Sequence, residues 1–182
     1  MNYMDFILKC FYYLLPIGLA NMAPSLSKLW IKSLGQPIDR GKTLGGKPIF
    51  GSHKTWRGPV FSPLVSFLIF ALQKYLYQYE SFAKISLIDY DKHSILIGFL
   101  FGFGVVLGEL INSFIKRRIS LQPGRSFIPL DQIDYTLGGL ALSGIFLQPG
   151  WDVALTVIST GFVLHIVFNL LGYLIKIKKN KL

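Results

Sequence analysis

The sequence predicts an all-α, polytopic integral membrane protein with about five transmembrane helices, its N-terminus outside and its C-terminus cytoplasmic, in one domain over residues 1–182. Three observations carry that expectation. The chain is 52% hydrophobic and 15% aromatic, with a mean hydropathy of +0.48, more apolar than an ordinary soluble domain. Apolar runs recur at about 20 residues, the length that crosses a hydrocarbon core at a rise of about 1.5 Å per residue. The net charge of +10 lies between those runs, as orientation signals do, and not on a continuous nucleic-acid face.

The first run, Phe6 to Ile31, contains Pro16 and the stretch Asn21-Met22-Ala23-Pro24. A kinked or locally broken helix is expected there, because proline removes a backbone donor. Lys9 is balanced by Asp5, so the run reads as a span and not as a cleaved leader. The second run covers Pro59 to Tyr79 and the third Ser94 to Ile115. Gly98, Gly102, Gly104 and Gly108 of the third have the spacing of close helix packing. The fourth is too short from Tyr135 to Leu147, but beginning at Pro129, a residue favoured at helix starts, it reaches about 28 Å. The fifth covers Val153 to Ile175. Trp30, Trp56 and Trp151 fall at run ends, as interfacial anchors do, and Cys10, the single cysteine, reads as a small apolar packing residue.

Charge then sets the orientation. Lys32, Arg40, Lys42, Lys47, Lys54 and Arg57 occupy a loop at about 32–58. Lys116, Arg117, Arg118 and Arg125 occupy another at about 116–130, and Lys176, Lys178, Lys179 and Lys181 the tail. Five spans put all three on one side, which the positive-inside rule makes cytoplasmic.

The same loops hold the residues with chemical potential. Glu109, Asn112, Ser113 and Lys116 fall at i, i+3, i+4 and i+7 and form one polar stripe on an apolar helix. Asn112 and Ser113 suit interhelical hydrogen bonding, and Lys116 suits snorkelling to the interface. Glu109, about 10 Å deeper, calls for a partner, since a lone carboxylate at that depth costs a few kcal/mol. Asp131 and Asp134 share the next helix's first turns. Capping accounts for Asp131 but not for a second carboxylate one turn deeper. Carboxylates converging beneath lysines and arginines have the composition of a Mg²⁺–phosphate site.

Gly41-Lys42-Thr43 looks like the end of a P-loop, but Gln36 stands where a glycine is required and no strand precedes it, which excludes a Walker-type nucleotidase. A glycine-rich basic loop that wraps phosphates with backbone N–H groups remains, and so does a basic loop lying on anionic lipid. Lys54 and Arg57, beside Trp56, look like a phosphate clamp at the membrane surface. His53 is a further candidate phosphate contact. His165 and Asn169 share a helical face and read as packing.

Five stretches, in order, cover nearly the whole chain: "ANMAP" (Ala20–Pro24), "GQPID" (Gly35–Asp39), "FGSHKTWRG" (Phe50–Gly58), "GELINSFIKRR" (Gly108–Arg118) and "PLDQIDYTLGG" (Pro129–Gly139). By these the chain resembles the CDP-archaeol synthase family, the small five-span branch related to the CTP:phosphatidate cytidylyltransferases. The family pattern has Asp where this chain has Glu109.

The resemblance implies Mg²⁺-dependent transfer of a cytidylyl group from CTP to a lipid phosphate, giving a CDP-lipid and pyrophosphate. It implies a multi-pass protein of the cytoplasmic membrane whose site faces the cytoplasm. Asp131, Asp134 and Glu109 become metal-site carboxylates and, with Lys116, catalytic residues. Asn21, Asp39, Lys47, Lys54, Arg57, Ser113, Arg117, Arg118 and Arg125 become substrate-binding residues. CTP, a membrane lipid phosphate and the bilayer are the expected partners, nucleic acid is not, and a homo-oligomer is compatible with the sequence. A non-catalytic lipid-phosphate binder or transporter is the competing reading. It would use the same basic rim and differ in being indifferent to CTP.

Overall fold

A computed structural model describes residues 2–174. The fold is helical: α1 (Tyr3–Leu26), α2 (Arg57–Leu76), the short α3 (Glu80–Lys84), α4 (Ile97–Arg118), α5 (Leu130–Leu147) and α6 (Trp151–Leu174). Its described β-structure is a two-residue hairpin, β1 (Thr43–Leu44) with β2 (Lys47–Pro48), in the loop before α2. Gly45 and Gly46 turn that hairpin with φ of 57° and 72°, values a side chain at either position would resist. Among the described residues four helices, α1, α2, α4 and α6, are long and apolar enough to cross a membrane. The tail lysines expected on the cytoplasmic side, and Ile175, lie outside the described residues.

The expected break in the first segment is absent. α1 is one continuous helix with Pro16 and Pro24 inside it. Each proline frees the carbonyl four residues earlier, and α2 takes up both. Gln73 Nε2 donates to Tyr12 O at 2.6 Å and Ser62 Oγ to Ala20 O at 2.9 Å. Gln73 and Ser62 are themselves buried, so the polar atoms of two apolar helices satisfy one another away from lipid.

α4 lies at the centre, packed on α1, α2 and α5, while α6 covers α5 and α1. Its glycines act as the spacing predicts, and on two faces. A Cβ on Gly102 would sit 2.4 Å from Pro63 Cα of α2. One on Gly104 would meet Gly138 O of α5 at 2.2 Å, and one on Gly108 would meet Asp134 O at 2.1 Å. The α4–α5 contact is therefore backbone against backbone. α4 also runs past the expected Ile115, through Arg118, which carries the basic cluster on rigid helix. Away from that basic end, Phe70, Tyr90 and Phe101 pack in one aromatic cluster with Tyr13 of α1.

Candidate active site

Six elements converge at one end of the bundle: the C-terminal parts of α1, α4 and α6, the α4–α5 loop, the first turns of α5, and the loop that enters α2. They enclose a cavity of about 510 Å³ whose wall includes Asn21, His53, Lys54, Glu109, Ser113, Lys116, Arg117, Arg125, Asp131, Gln132 and Asp134. Two residues of the α4 stripe, Asn112 and Lys116, reach the first turns of α5, while Glu109 and Ser113 meet the loop that enters α2. Asn112 is the link. Its Nδ2 donates to Asp131 Oδ1 and to Asp134 Oδ2, both at 2.7 Å, so those two oxygens lie no further apart than twice that distance. Lys116 Nζ holds both oxygens of Asp131, at 2.9 and 2.8 Å. Asp131 also accepts the Phe127 N–H at 2.8 Å, which ties down the loop before α5; it does not cap the helix as expected, since α5 begins without a side-chain cap. Glu109, the deep carboxylate that called for a partner, has one in Lys54 at 2.5 Å.

Three buried side chains around this cavity keep polar atoms without a protein partner. Arg117, 4% exposed, has Nε and Nη1 free beneath the Gly51 turn; Gln132, 2% exposed, has Oε1 free; and Asn112, 5% exposed, has Oδ1 free beside the two aspartates. Each of these buried polar atoms calls for a partner that the protein itself does not supply.

Four expected substrate-binding residues are not on the cavity wall; each holds the loop together. Asp39 accepts the N–H groups of Gly41, Phe50 and Gly51 at 2.8–3.0 Å. Burial pushes its pKa up, but the N–H groups of Gly51, Phe50 and Gly41 outweigh burial and hold it below the usual carboxylate range. Lys47 Nζ donates to Arg118 O at the end of α4 at 2.8 Å. Arg118 spreads its guanidinium over the carbonyls of Leu44, Lys47 and Pro48 and stacks on Phe114. Arg57 donates to Ile31 O through Nε and Nη2. The loop has little regular backbone pairing of its own, so its charged side chains complete it. Ser113, on the wall, also donates to Phe50 O at 2.8 Å. His165 and Asn169, read from sequence as packing, line the cavity too.

A second cavity, about 660 Å³ and largely apolar, runs between α1 and α6 and is lined by Leu14, Leu15, Leu19, Leu164, Phe168 and Leu171 among others. It meets the first at Asn21, His53, Lys54, Glu109, His165 and Asn169, which line both. A charged chamber thus opens directly into an apolar cleft.

The CarS-like family model, described as CDP-archaeol synthase, matches residues 3–181. The chain belongs to the CDP-archaeol synthase family. It is 36% identical over 174 residues to the CDP-archaeol synthase of Pyrococcus furiosus, covering 94% of this chain and 96% of that protein. It is 34% identical over 183 residues to that of Archaeoglobus fulgidus, covering 97% and 98%. A solved structure described as an intramembrane enzyme for archaeal membrane lipids biosynthesis superposes with a TM-score of 0.71 at 24% identity, over 93% of this chain and 95% of that one. The helical fold is thus shared with an intramembrane protein. Within the CDP-archaeol synthase family, the "GELINSFIKRR" and "PLDQIDYTLGG" stretches of this chain are the two faces of one cavity wall.

Proposed function

We propose that this protein is a membrane cytidylyltransferase that joins CTP to a lipid phosphate, releasing a CDP-lipid and pyrophosphate, with its site at the cytoplasmic end of five spans. In this reading α5 is the fourth of the five crossings, and the basic loops at 32–58 and 116–130 share the cytoplasmic face. The reading rests chiefly on the charged chamber that opens into the apolar cleft. Such a pair of cavities suits a reaction between a water-borne polyanion and a lipid headgroup.

The chemistry needs no activated side chain. An oxygen of the lipid phosphate attacks the α-phosphorus of CTP, a new P–O bond forms, and the bond from that phosphorus to the β-phosphate oxygen breaks, releasing pyrophosphate. What the protein supplies is alignment and charge. Arg117, buried with two unpartnered nitrogen atoms, and Arg125, exposed at the mouth, are suited to hold phosphates. Lys116 and Lys54 bring mobile positive charge. Asn112 keeps Asp131 and Asp134 in register.

The family also implies Mg²⁺. The residues fit it: Mg²⁺ is commonly held by one or two carboxylates together with substrate phosphates, and Asp131 and Asp134 are hard-oxygen donors tied to one Asn112 nitrogen. The buried, unpartnered Asn112 Oδ1 is a further hard oxygen beside them. Asp131 and Asp134 would hold the ion, and Glu109 lies on the same wall. When bound, the ion would add positive charge against the phosphoryl oxygens.

The test is transfer of label from CTP, labelled in the α-phosphate, into the organic phase with Mg²⁺ and purified protein. Phosphatidic acid and an unsaturated ether-lipid phosphate are offered in parallel. Transfer to either lipid supports the assignment, and the preferred one names the acceptor. Lipid-phosphate binding with no transfer to either, beside an active control synthase, moves the carrier reading ahead.

A further inference from the structure

The Lys54–Glu109 pair occupies an unusual place. Each residue lines both cavities, the two are joined at 2.5 Å, and each keeps about a quarter of its side chain accessible, 26% and 22%. The pair is therefore part of the wall where the apolar cleft becomes the charged chamber. We propose that it is a charge gate: Lys54 receives the phosphate of a lipid phosphate monoester, and it does so by leaving Glu109. This rests on the proposed function and goes further, by assigning one lysine to the lipid and by naming the class of lipid the gate admits.

Charge complementarity along the cleft carries the inference. Of the described Lys, Arg, Asp and Glu residues, those lining the apolar cleft are Lys28, Lys54 and Glu109. Lys28 is exposed, on the turn just after α1. Lys54 sits where the cleft meets the chamber. Lys116 and Arg117 line the chamber and not the cleft, and Lys116 is already held by both oxygens of Asp131. A lipid with its chains between α1 and α6 thus presents its headgroup to Lys54 first, and to Glu109 with it.

The carboxylate repels that headgroup while Lys54 remains on it. The lysine changes partner only for an anion that competes with a carboxylate at hydrogen-bond distance. A phosphate monoester, with close to two negative charges and three terminal oxygens, is such an anion. A diester headgroup carries a single charge, and a neutral glycerolipid none. The gate therefore separates the lipid to be activated from the bulk diester lipids that bathe the same cleft. Discrimination comes from the repulsive carboxylate as much as from the attractive lysine.

The test is calorimetric titration of the full-length protein in detergent, with EDTA and without CTP. The probes are dioctanoyl phosphatidic acid, its ether-linked counterpart, dioctanoyl phosphatidylglycerol and dioctanoylglycerol. The wild type is expected to bind the two monoesters and neither of the others. Comparing the two monoesters separates diacyl from ether chains. Glu109→Gln removes the competitor and is expected to tighten monoester binding about tenfold and to admit the diester. Glu109→Asp, which draws the charge back by one methylene, gives a smaller gain in the same direction and serves if Glu109→Gln is unstable.

Lys54→Met is expected to lose most of the monoester affinity. In the double variant most of the gain from Glu109→Gln disappears, because what remains is the direct repulsion without the lysine that Glu109 held. Unchanged or weaker binding in both folded Glu109 variants overturns the gate, as does a gain of undiminished size without Lys54. If the wild type binds no phosphorylated lipid, the proposed function falls and the gate with it. If it binds monoesters and the Glu109 variants do not differ, the gate alone falls.

Discussion

Gly108→Ala tests whether the site depends on the bare-backbone contact between α4 and α5. The new Cβ would lie 2.1 Å from Asp134 O, where a carbon and a carbonyl oxygen settle at about 3.3 Å. The obstacle is backbone on a packed helix, so the helices must separate by about 1.2 Å. The Asn112–Asp134 hydrogen bond, now 2.7 Å and one turn along α4 from the substitution, would stretch to roughly 3.9 Å and cease to be a hydrogen bond. Overpacking of this kind costs about 1–3 kcal/mol of stability. Misplacement of a catalytic group by about 1 Å can cost about 100-fold in rate. Turnover is therefore expected to fall about 100-fold in the label-transfer assay while the protein remains extractable and monodisperse. Gly144→Ala is the control, since its Cβ would come no closer than 3.8 Å to Pro149 Cδ, and it should keep wild-type turnover. Gly108→Ala at wild-type turnover would refute the dependence of the site on this contact.

Asp134→Asn is expected to abolish turnover while leaving a folded protein, measured by label transfer beside size-exclusion behaviour; near-normal activity would remove Asp134 from the site. Asp39 makes the loop acid-sensitive. Its folded pKa is lowered, so its contribution is fully present above the unfolded value of about 3.9 and is lost as pH falls through the lower folded value. Limited proteolysis should find the 32–58 loop equally protected at neutral pH and at about pH 5, and opened only in stronger acid. Asp39→Ala, which strands three N–H donors, should open the loop at neutral pH. Gln73→Leu leaves Tyr12 O without its donor and should lower stability by about 1–3 kcal/mol, read by denaturant titration in detergent.

The long helices were legible because length and hydropathy are local properties. So was the stripe Glu109, Asn112, Ser113, Lys116, since a period of 3.6 turns sequence spacing into a shared face. The glycines of α4 announced close packing for the same reason. The loop was harder to read. A lysine or arginine in a glycine-rich loop serves a substrate phosphate or the loop's own carbonyls, and both uses leave the same composition. Arg118 and Lys47 went to carbonyls, whereas Arg117, one residue away, kept two nitrogen atoms free. The direction of a side chain around a helix end decided between them, which composition does not encode. Asn112 as a bridge, and Gln132 on the wall, emerged only once α4 and α5 faced each other. A kink or a break at Pro16 and Pro24 was a fair local inference; the break did not occur, and the carbonyls the prolines free are met by partners more than 40 residues away in sequence.

Those two prolines bear on how the protein is made. In isolation in a bilayer, α1 would expose the carbonyls of Tyr12 and Ala20 to hydrocarbon, a cost of several kcal/mol for each unsatisfied group. The donors that relieve it lie on α2, at Ser62 and Gln73. The first span therefore becomes a comfortable resident of the membrane only once the second has been synthesised and has turned back against it. The leading part of the chain should enter the bilayer as a helical hairpin, and a nascent chain halted before Gln73 should hold its first helix loosely.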